Sequence, residues 1–244
     1  MFGRKRTDEQ AGSPAGTDPE ATDVALELDE EAAASSDGVD DELEELDELD
    51  ELDDESDDPR ADGPFDIDEV DLGQDEVNRI DLGALIITPW PGLNLQLQVN
   101  EATRQVRAIT GVWRTSGLEV ALFAAPASGG LADDLREELV DEAGQAGGTA
   151  ELVAGLFGTE VRRVMPQTGP AGEQLFHVSR IWFAEGPRWL LRGTLLGEAA
   201  LAEAAEAKAG PFVEFFRNLV VRRGDRPMVP GELITMDLPT QDAG

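Results

Sequence analysis

From residue 82 onward the apolar positions recur with two different periods, and each change of period marks an element boundary. Residues 82–88 form a short apolar run stopped by Pro89-Trp90-Pro91-Gly92, a turn sequence in which proline fixes φ and glycine frees it. Leu93, Leu95, Leu97 and Val99 then alternate with Asn94, Gln96, Gln98 and Asn100, which predicts a strand with one buried and one polar face. A polar connection over 100–104 leads to a strand over 105–113, and Ser116-Gly117 predicts a turn into another over 118–125. Consecutive strands with short polar links favour an antiparallel meander.

Residues 126–130 break the strand pattern, and Leu131, Leu135, Leu139 and Ala143 then recur every four residues, the spacing of a helix. Asp133 and Asp134 fall in its first turn, where the helix dipole favours them, and Gly147-Gly148 supplies the stop. Further strands are expected near 150–153, 159–165, 174–184 and 188–196, with turns at 167–172 and 185–187. A helical region over 198–218 follows, interrupted at Gly210-Pro211, with Phe212, Phe215, Phe216 and Leu219 spaced to cover a sheet. This order of elements predicts an α+β fold, a largely antiparallel sheet flanked by helices.

The charge divides the chain differently. Of the 52 acidic residues, 31 lie in residues 1–80 with only five bases, a charge of −26, whereas residues 81–244 hold 21 acids and 14 bases, a charge of −7. Residues 1–63 carry too little branched or aromatic surface to offset the entropy of ordering, and read as a disordered acidic tail. Residues 64–80 form a lead-in whose anchors are Phe65 and Ile67, residues 81–239 a single α+β domain, and 240–244 a short C-terminal tail. Inside the leader, Leu43, Leu46, Leu49 and Leu52 recur every three residues between acids, a spacing that fits neither a straight helical seam nor a heptad. Such acid and leucine alternation suits a segment that binds a partner through its leucines; a purely solvating spacer has the same composition.

Candidate chemistry is sparse. Cysteine is absent, which excludes disulfides, thiol nucleophiles and cysteine-based metal sites; His177 is the sole histidine and reads as structural or superficial. No GxSxG, GxxxxGK[ST], HExxH or post-strand GxGxxG occurs, and the acidic run lacks the glycine turn of an EF-hand. Ser128 precedes the first predicted helix, where it reads as part of a loop with the N-cap, or as a hydroxyl at an anion-holding helix start. No cofactor or metal is expected.

The positive charge is nearly all arginine, whose planar fork holds carboxylates and phosphates in pairs. Arg162, Arg163, Arg188, Arg192, Arg217, Arg222, Arg223 and Arg226 are the candidate anion- or tail-binding residues; scattered surface pairing is the plain alternative. A sharper version has the acidic leader folding back over Arg222, Arg223 and Arg226.

The segments Asp81-Leu82-Gly83-Ala84-Leu85, Phe123-Ala124-Ala125-Pro126, Ser128-Gly129-Gly130-Leu131, Gly158-Thr159-Glu160, the run from Gly186 to Gly193 and the run from Val221 to Met228 together resemble an actinobacterial family of uncharacterised proteins, a domain of unknown function with an acidic leader. That resemblance covers residues 81–239 and implies a cytosolic protein without assigned catalytic residues. The family has a tryptophan after Gly-Gly-Leu where this chain has Ala132, so that position is not essential. By analogy of element order, the fold is similar to the Mog1/PsbP-like α/β/α architecture, used widely by binding and assembly factors.

The expectation is therefore a non-enzymatic, cytoplasmic interaction module whose acidic leader engages a charged partner, a basic protein being the natural candidate, or its own arginine-rich surface. The alternative is a small anion- or phosphometabolite-binding protein or enzyme with an arginine-lined pocket. No apolar run is long enough for a membrane helix, and a surplus of acid argues against nucleic acid as a partner of the full chain.

Overall fold

A computed structural model describes residues 58–74, 76–201 and 205–239, so the leader leucines Leu43, Leu46, Leu49 and Leu52 lie outside the described residues. The elements in chain order are β1 (Phe65–Asp66), a 3-10 turn (Ile67–Glu69), β2 (Ile80–Asp81), β3 (Leu85–Ile87), β4 (Asn94–Val99), β5 (Val106–Trp113), β6 (Ser116–Ala124), α1 (Leu131–Gln145), β7 (Thr149–Gly155), β8 (Gly158–Thr168), β9 (Gln174–Gly186), β10 (Trp189–Gly197), a second 3-10 turn (Glu198–Ala200), α2 (Ala205–Arg217) and β11 (Val220–Val221). The fold is α+β and dominated by sheet. A seven-stranded antiparallel sheet runs β4-β5-β6-β10-β9-β8-β7, and a four-stranded sheet runs β1-β11-β3-β2, antiparallel except for the β1–β11 pair.

Two helices cover opposite faces of the long sheet. The stripe of α1 packs Leu131, Ala132, Leu135 and Leu139 against Val161, Ile181, Phe183 and Leu190. On the other face the larger core joins Phe212, Phe215 and Phe216 of α2 to Leu118, Leu122, Leu191 and Leu195, with Leu85, Ile87 and Val221 of the small sheet in the same cluster. Gly193 of β10 makes this approach possible: a Cβ there would lie 2.9 Å from the ring of Phe216.

The covered areas are offset. One row of side chains across the sheet reads Gln96, Thr110, Glu119, Thr194, Ile181, Val161, polar over β4, β5, β6 and β10 and apolar where α1 lies. The next row, pointing to the opposite face, reads Leu95, Gly111, Leu118, Leu195, Arg180, Arg162, Glu151, apolar beneath α2 and charged beyond it. Polarity inverts halfway across the sheet on both faces.

Several boundaries differ from the sequence reading, each through a contact distant in sequence or a local backbone effect. Ser116 and Gly117 are in β6, and the turn is made by Arg114 and Thr115, with Arg114 at φ 53°. Ser116 is buried because its hydroxyl accepts from the N–H of Ala199. Pro211 lies inside α2 and does not divide it, since the flanking phenylalanines are fixed by the core. Ser128 is exposed and caps nothing: Gly130 is the N-cap of α1, and the first-turn N–H groups are taken by Glu185 of β9, which accepts from Gly130 at 3.2 Å and Ala132 at 3.0 Å. The helix ends as expected, with Gly147 at φ 72° and the N–H of Gly148 donating to Ala143.

Residues 58–63, read from sequence as the end of the leader, are held against the domain. Arg60 pairs with Glu69, donates to the carbonyl of Pro64 and lies over the ring of Trp189. The buried carboxylate of Asp66 accepts from the indole of Trp189 at 2.7 Å while capping the first 3-10 turn. Near the other terminus, the segment over 231–236 bonds to Leu122, Ala124 and Val106, filling the gap where β5 diverges from β6.

Substituting Glu185→Ala removes a side-chain helix cap, so urea unfolding should show a loss of about 1 kcal/mol with faster amide exchange at Gly130 and Ala132. Unchanged stability and exchange would mean that the cap is not used.

Candidate functional site

The eight candidate arginines do not converge on one pocket. They occupy four places, and most are satisfied there. Arg222 donates to both oxygens of Asp81 and to the carbonyl of Gly83, tying β11 to the loop after β2. Arg223 is spent on carbonyls, those of Arg188, Gly224 and Arg226, so it shapes the loop after β11. Arg188, at φ 62°, lies 3.8 Å from Asp225, and Arg226 is exposed beside them. Arg217 faces Asp62 and Glu214.

Arg162 and Arg180 stand directly opposite one another on β8 and β9, an arrangement of like charges that costs energy unless an anion intervenes. Glu160 intervenes. Its carboxylate is 2% exposed and accepts from Arg162 Nε at 2.8 Å, from Arg180 Nε and a terminal nitrogen at 3.0 and 2.9 Å, and from the indole of Trp182 at 2.9 Å. Burial pushes the Glu160 carboxyl up, but the hydrogen bonds from Arg180 and Arg162 outweigh it and hold the group below the ordinary glutamate range. Every donor that reaches this carboxylate comes from a neighbouring strand position, so the network fixes the β8–β9 register at the place where α2 stops covering the sheet. On the same face, two and four residues before Arg180 along β9, lie Val178 and the exposed Phe176.

Arg163 and Arg192 belong to the opposite face, at the margin of α1. Arg163 pairs with Glu142 of that helix at 2.9 Å, while its Nε is buried without an acceptor. Arg192 lies over the ring of Phe123 at 5.2 Å; its Nε is also buried without an acceptor, and among the described residues no carboxylate is within ion-pair distance. Burial lowers its pKa, with the charge of Arg163 acting in the same direction and Glu119 and Glu142 opposing it. Glu119 in turn accepts from Gln98 Nε2, so the polar face of β4 does meet the electrostatic surroundings of Arg192.

A family model described as Protein of unknown function (DUF3710) matches residues 63–243. The chain belongs to this family. The match opens at Gly63, at φ 92°, where a Cβ would lie 2.1 Å from the carbonyl oxygen of Arg217. No curated protein and no solved structure matches the chain, and the likeness to the Mog1/PsbP-like architecture stays an expectation from element order.

Two other features of this DUF3710 chain have no chemistry built around them. A shallow open groove of about 540 Å³ runs along α1, lined by Asp134, Glu137, Glu138, Asp141, Glu142 and Gln145, a single acidic helix face. Among the described residues no group of three or more His, Asp and Glu is placed to hold a metal ion, and His177 is exposed on β9. What sequence reasoning missed was Glu160, Trp182 and Glu185. The signal for Glu160 was its two-residue spacing from Arg162, which puts both on one face of a strand.

Replacing Glu160 by Gln removes the buried charge shared by the largely buried Arg180 and the partly exposed Arg162, so the domain should lose about 3 kcal/mol in urea unfolding at pH 7. The pKa of Glu160 is depressed in the folded state, so its contribution is complete above the ordinary glutamate pKa and is lost as pH falls through the folded value. The gap between wild type and E160Q should therefore narrow below about pH 4; a pH-independent gap would contradict the charge argument.

Proposed function

We propose that this protein is a non-enzymatic interaction module whose acidic leader engages a basic partner in trans. One observation carries the reading: the arginines offered by sequence as a docking site for the leader are largely supplied with acceptors from the domain itself. Asp81 serves Arg222, Glu142 serves Arg163, Glu160 serves Arg162 and Arg180, Asp62 and Glu214 serve Arg217, and backbone carbonyls serve Arg223. A carboxylate brought from the leader to these arginines would compete with acceptors already in place, so its net gain is small. The leader's charge of −21 over residues 1–63 stays available to an external cation, and its regularly spaced leucines give that contact an apolar component. A cytoplasmic, basic protein is the partner that this charge suits.

Arg192 favours a second reading, the binding of a small phosphorylated ligand. Arg192 and the exposed Arg226 are the candidates with neither a carboxylate nor a carbonyl acceptor, and of the two Arg192 has its unsatisfied Nε buried; its neighbour Arg163 adds a second cation, and a dianion relieves the repulsion between them.

The readings separate experimentally. Capture of partners from a lysate should be lost when the acids of residues 41–58 are changed to the corresponding amides, and restored by no change in the domain; equal capture by that variant contradicts the leader's role. For the second reading, inorganic phosphate should raise the melting temperature of wild type and not of Arg192→Gln, and equal shifts in both would remove Arg192 from consideration.

A further inference from the structure

Strand β4 ends the long sheet, so one row of its backbone N–H and C=O groups has no neighbouring strand among the described residues. Edge strands invite pairing with another chain, and proteins usually blunt them with charge, proline, shortness or a bulge. Asn94–Val99 has six residues and contains no charge, no proline and no glycine. It lies within residues 82–100, nineteen consecutive positions without Asp, Glu, Lys or Arg in a chain where such residues make up 29% of the sequence. The opposite edge is different: β7 carries Glu151 within the strand and ends in Gly155. The one irregularity of β4 is a register shift at Gln98/Val99, at the end of its pairing with β5, which leaves Asn94 to Gln98 regular.

The pattern of β4 is also its own complement. Antiparallel pairing of two copies about a two-fold axis at Gln96 sets Leu93 opposite Val99, Leu95 opposite Leu97, Asn94 opposite Gln98, and Gln96 opposite itself. On one face every pair is apolar; on the other every pair is an amide. Leu93, Leu95 and Leu97 are only half-buried at the rim of the core, and Val99 is 40% exposed, so each copy supplies what would cover the other. The amide face adds side-chain hydrogen bonds of the kind that stabilise stacked Asn and Gln. No charge of either sign lies along the seam.

We propose that β4 is a dimerisation edge, through which two copies of this chain join their seven-stranded sheets into one continuous antiparallel sheet. The contact is isologous, the same seven residues, Leu93 to Val99, serving both sides. One short strand pair falls below the standard area of a permanent interface, so the dimer is reversible and concentration-dependent. The acidic leaders of the two copies repel, and added salt screens that repulsion while leaving the uncharged seam untouched. Dimerisation that strengthens with salt is the reverse of what an ion-paired interface gives.

Sedimentation equilibrium of the full chain, from about 5 to about 500 μM and at roughly 0.05 and 0.5 M salt, reads this directly. The mass should rise with concentration from 26.2 kDa toward twice that value, and rise further at the higher salt. Gln96 is exposed, so Gln96→Lys leaves the fold intact while placing like charges opposite each other at the axis. Q96K alone and Q96E alone should remain monomeric, and an equimolar mixture should recover the doubled mass. A wild-type chain that is monomeric throughout, a dimer that Q96K leaves unchanged, or a mixture that stays monomeric would each overturn the proposal, the last two by moving the interface or the axis elsewhere.

Discussion

A seven-stranded sheet is wider than a helix, and the rest of this structure follows from that mismatch. Six strand spacings span roughly 29 Å, whereas a helix with its side chains is about 10 to 12 Å across. One helix therefore covers two or three strands. The chain places α1 over β7, β8 and β9 on one face and α2 with the small sheet over β4, β5, β6 and β10 on the other. Each uncovered half must then be polar, and the two rows running from Gln96 to Val161 and from Leu95 to Glu151 show the inversion directly. The fold thus presents two polar half-faces and leaves charges at the margins of both helices.

How those margins are satisfied decides what is left for a partner. At the margin of α2, Glu160 takes four hydrogen bonds from two arginines and a tryptophan, and its own charge is stabilised by the arrangement. A buried carboxylate with that many donors is expensive to remove and is fully occupied, which makes it a structural joint and a poor catalytic group. At the margin of α1, Arg163 has Glu142 while Arg192 has only an aromatic face and opposing electrostatic influences. Arg222 ties β11 to β2 and the loop after it, and Arg223 binds the β9–β10 turn to the loop after β11. The domain consumes most of its own positive charge in holding its elements in place, and this economy separates it from the leader, where acids outnumber bases by 21 in residues 1–63.

The periodic elements were legible because they are local. Alternation over 93–99 and the four-residue step from Leu131 to Ala143 gave β4 and α1 nearly to the residue, and Gly147 supplied the stop. The polarity inversion was not legible, since Arg162 and Arg163 are adjacent in sequence and only the sheet order shows that one faces Glu160 and the other α1. The cap of α1 comes from Glu185, over fifty residues away, so the nearer Ser128 was the natural candidate and the wrong one. Gly210-Pro211 is a strong local breaker, yet Phe212, Phe215 and Phe216 hold α2 continuous through it. Non-local packing settled each disagreement, and it likewise dispersed the arginine clusters that adjacency in sequence had suggested.

The function proposed above requires that the domain neither needs nor engages the leader's charge. Amide spectra of the full chain, compared with those of the chain carrying amides in place of the acids at 41–58, test it most directly when recorded at low salt, where electrostatic contacts are strongest. The account predicts that resonances from residues 63–239 superimpose. Shifts clustered at Arg222, Arg223 and Arg226, or at Arg192, that vanish on adding salt would contradict it and return the leader to its own domain.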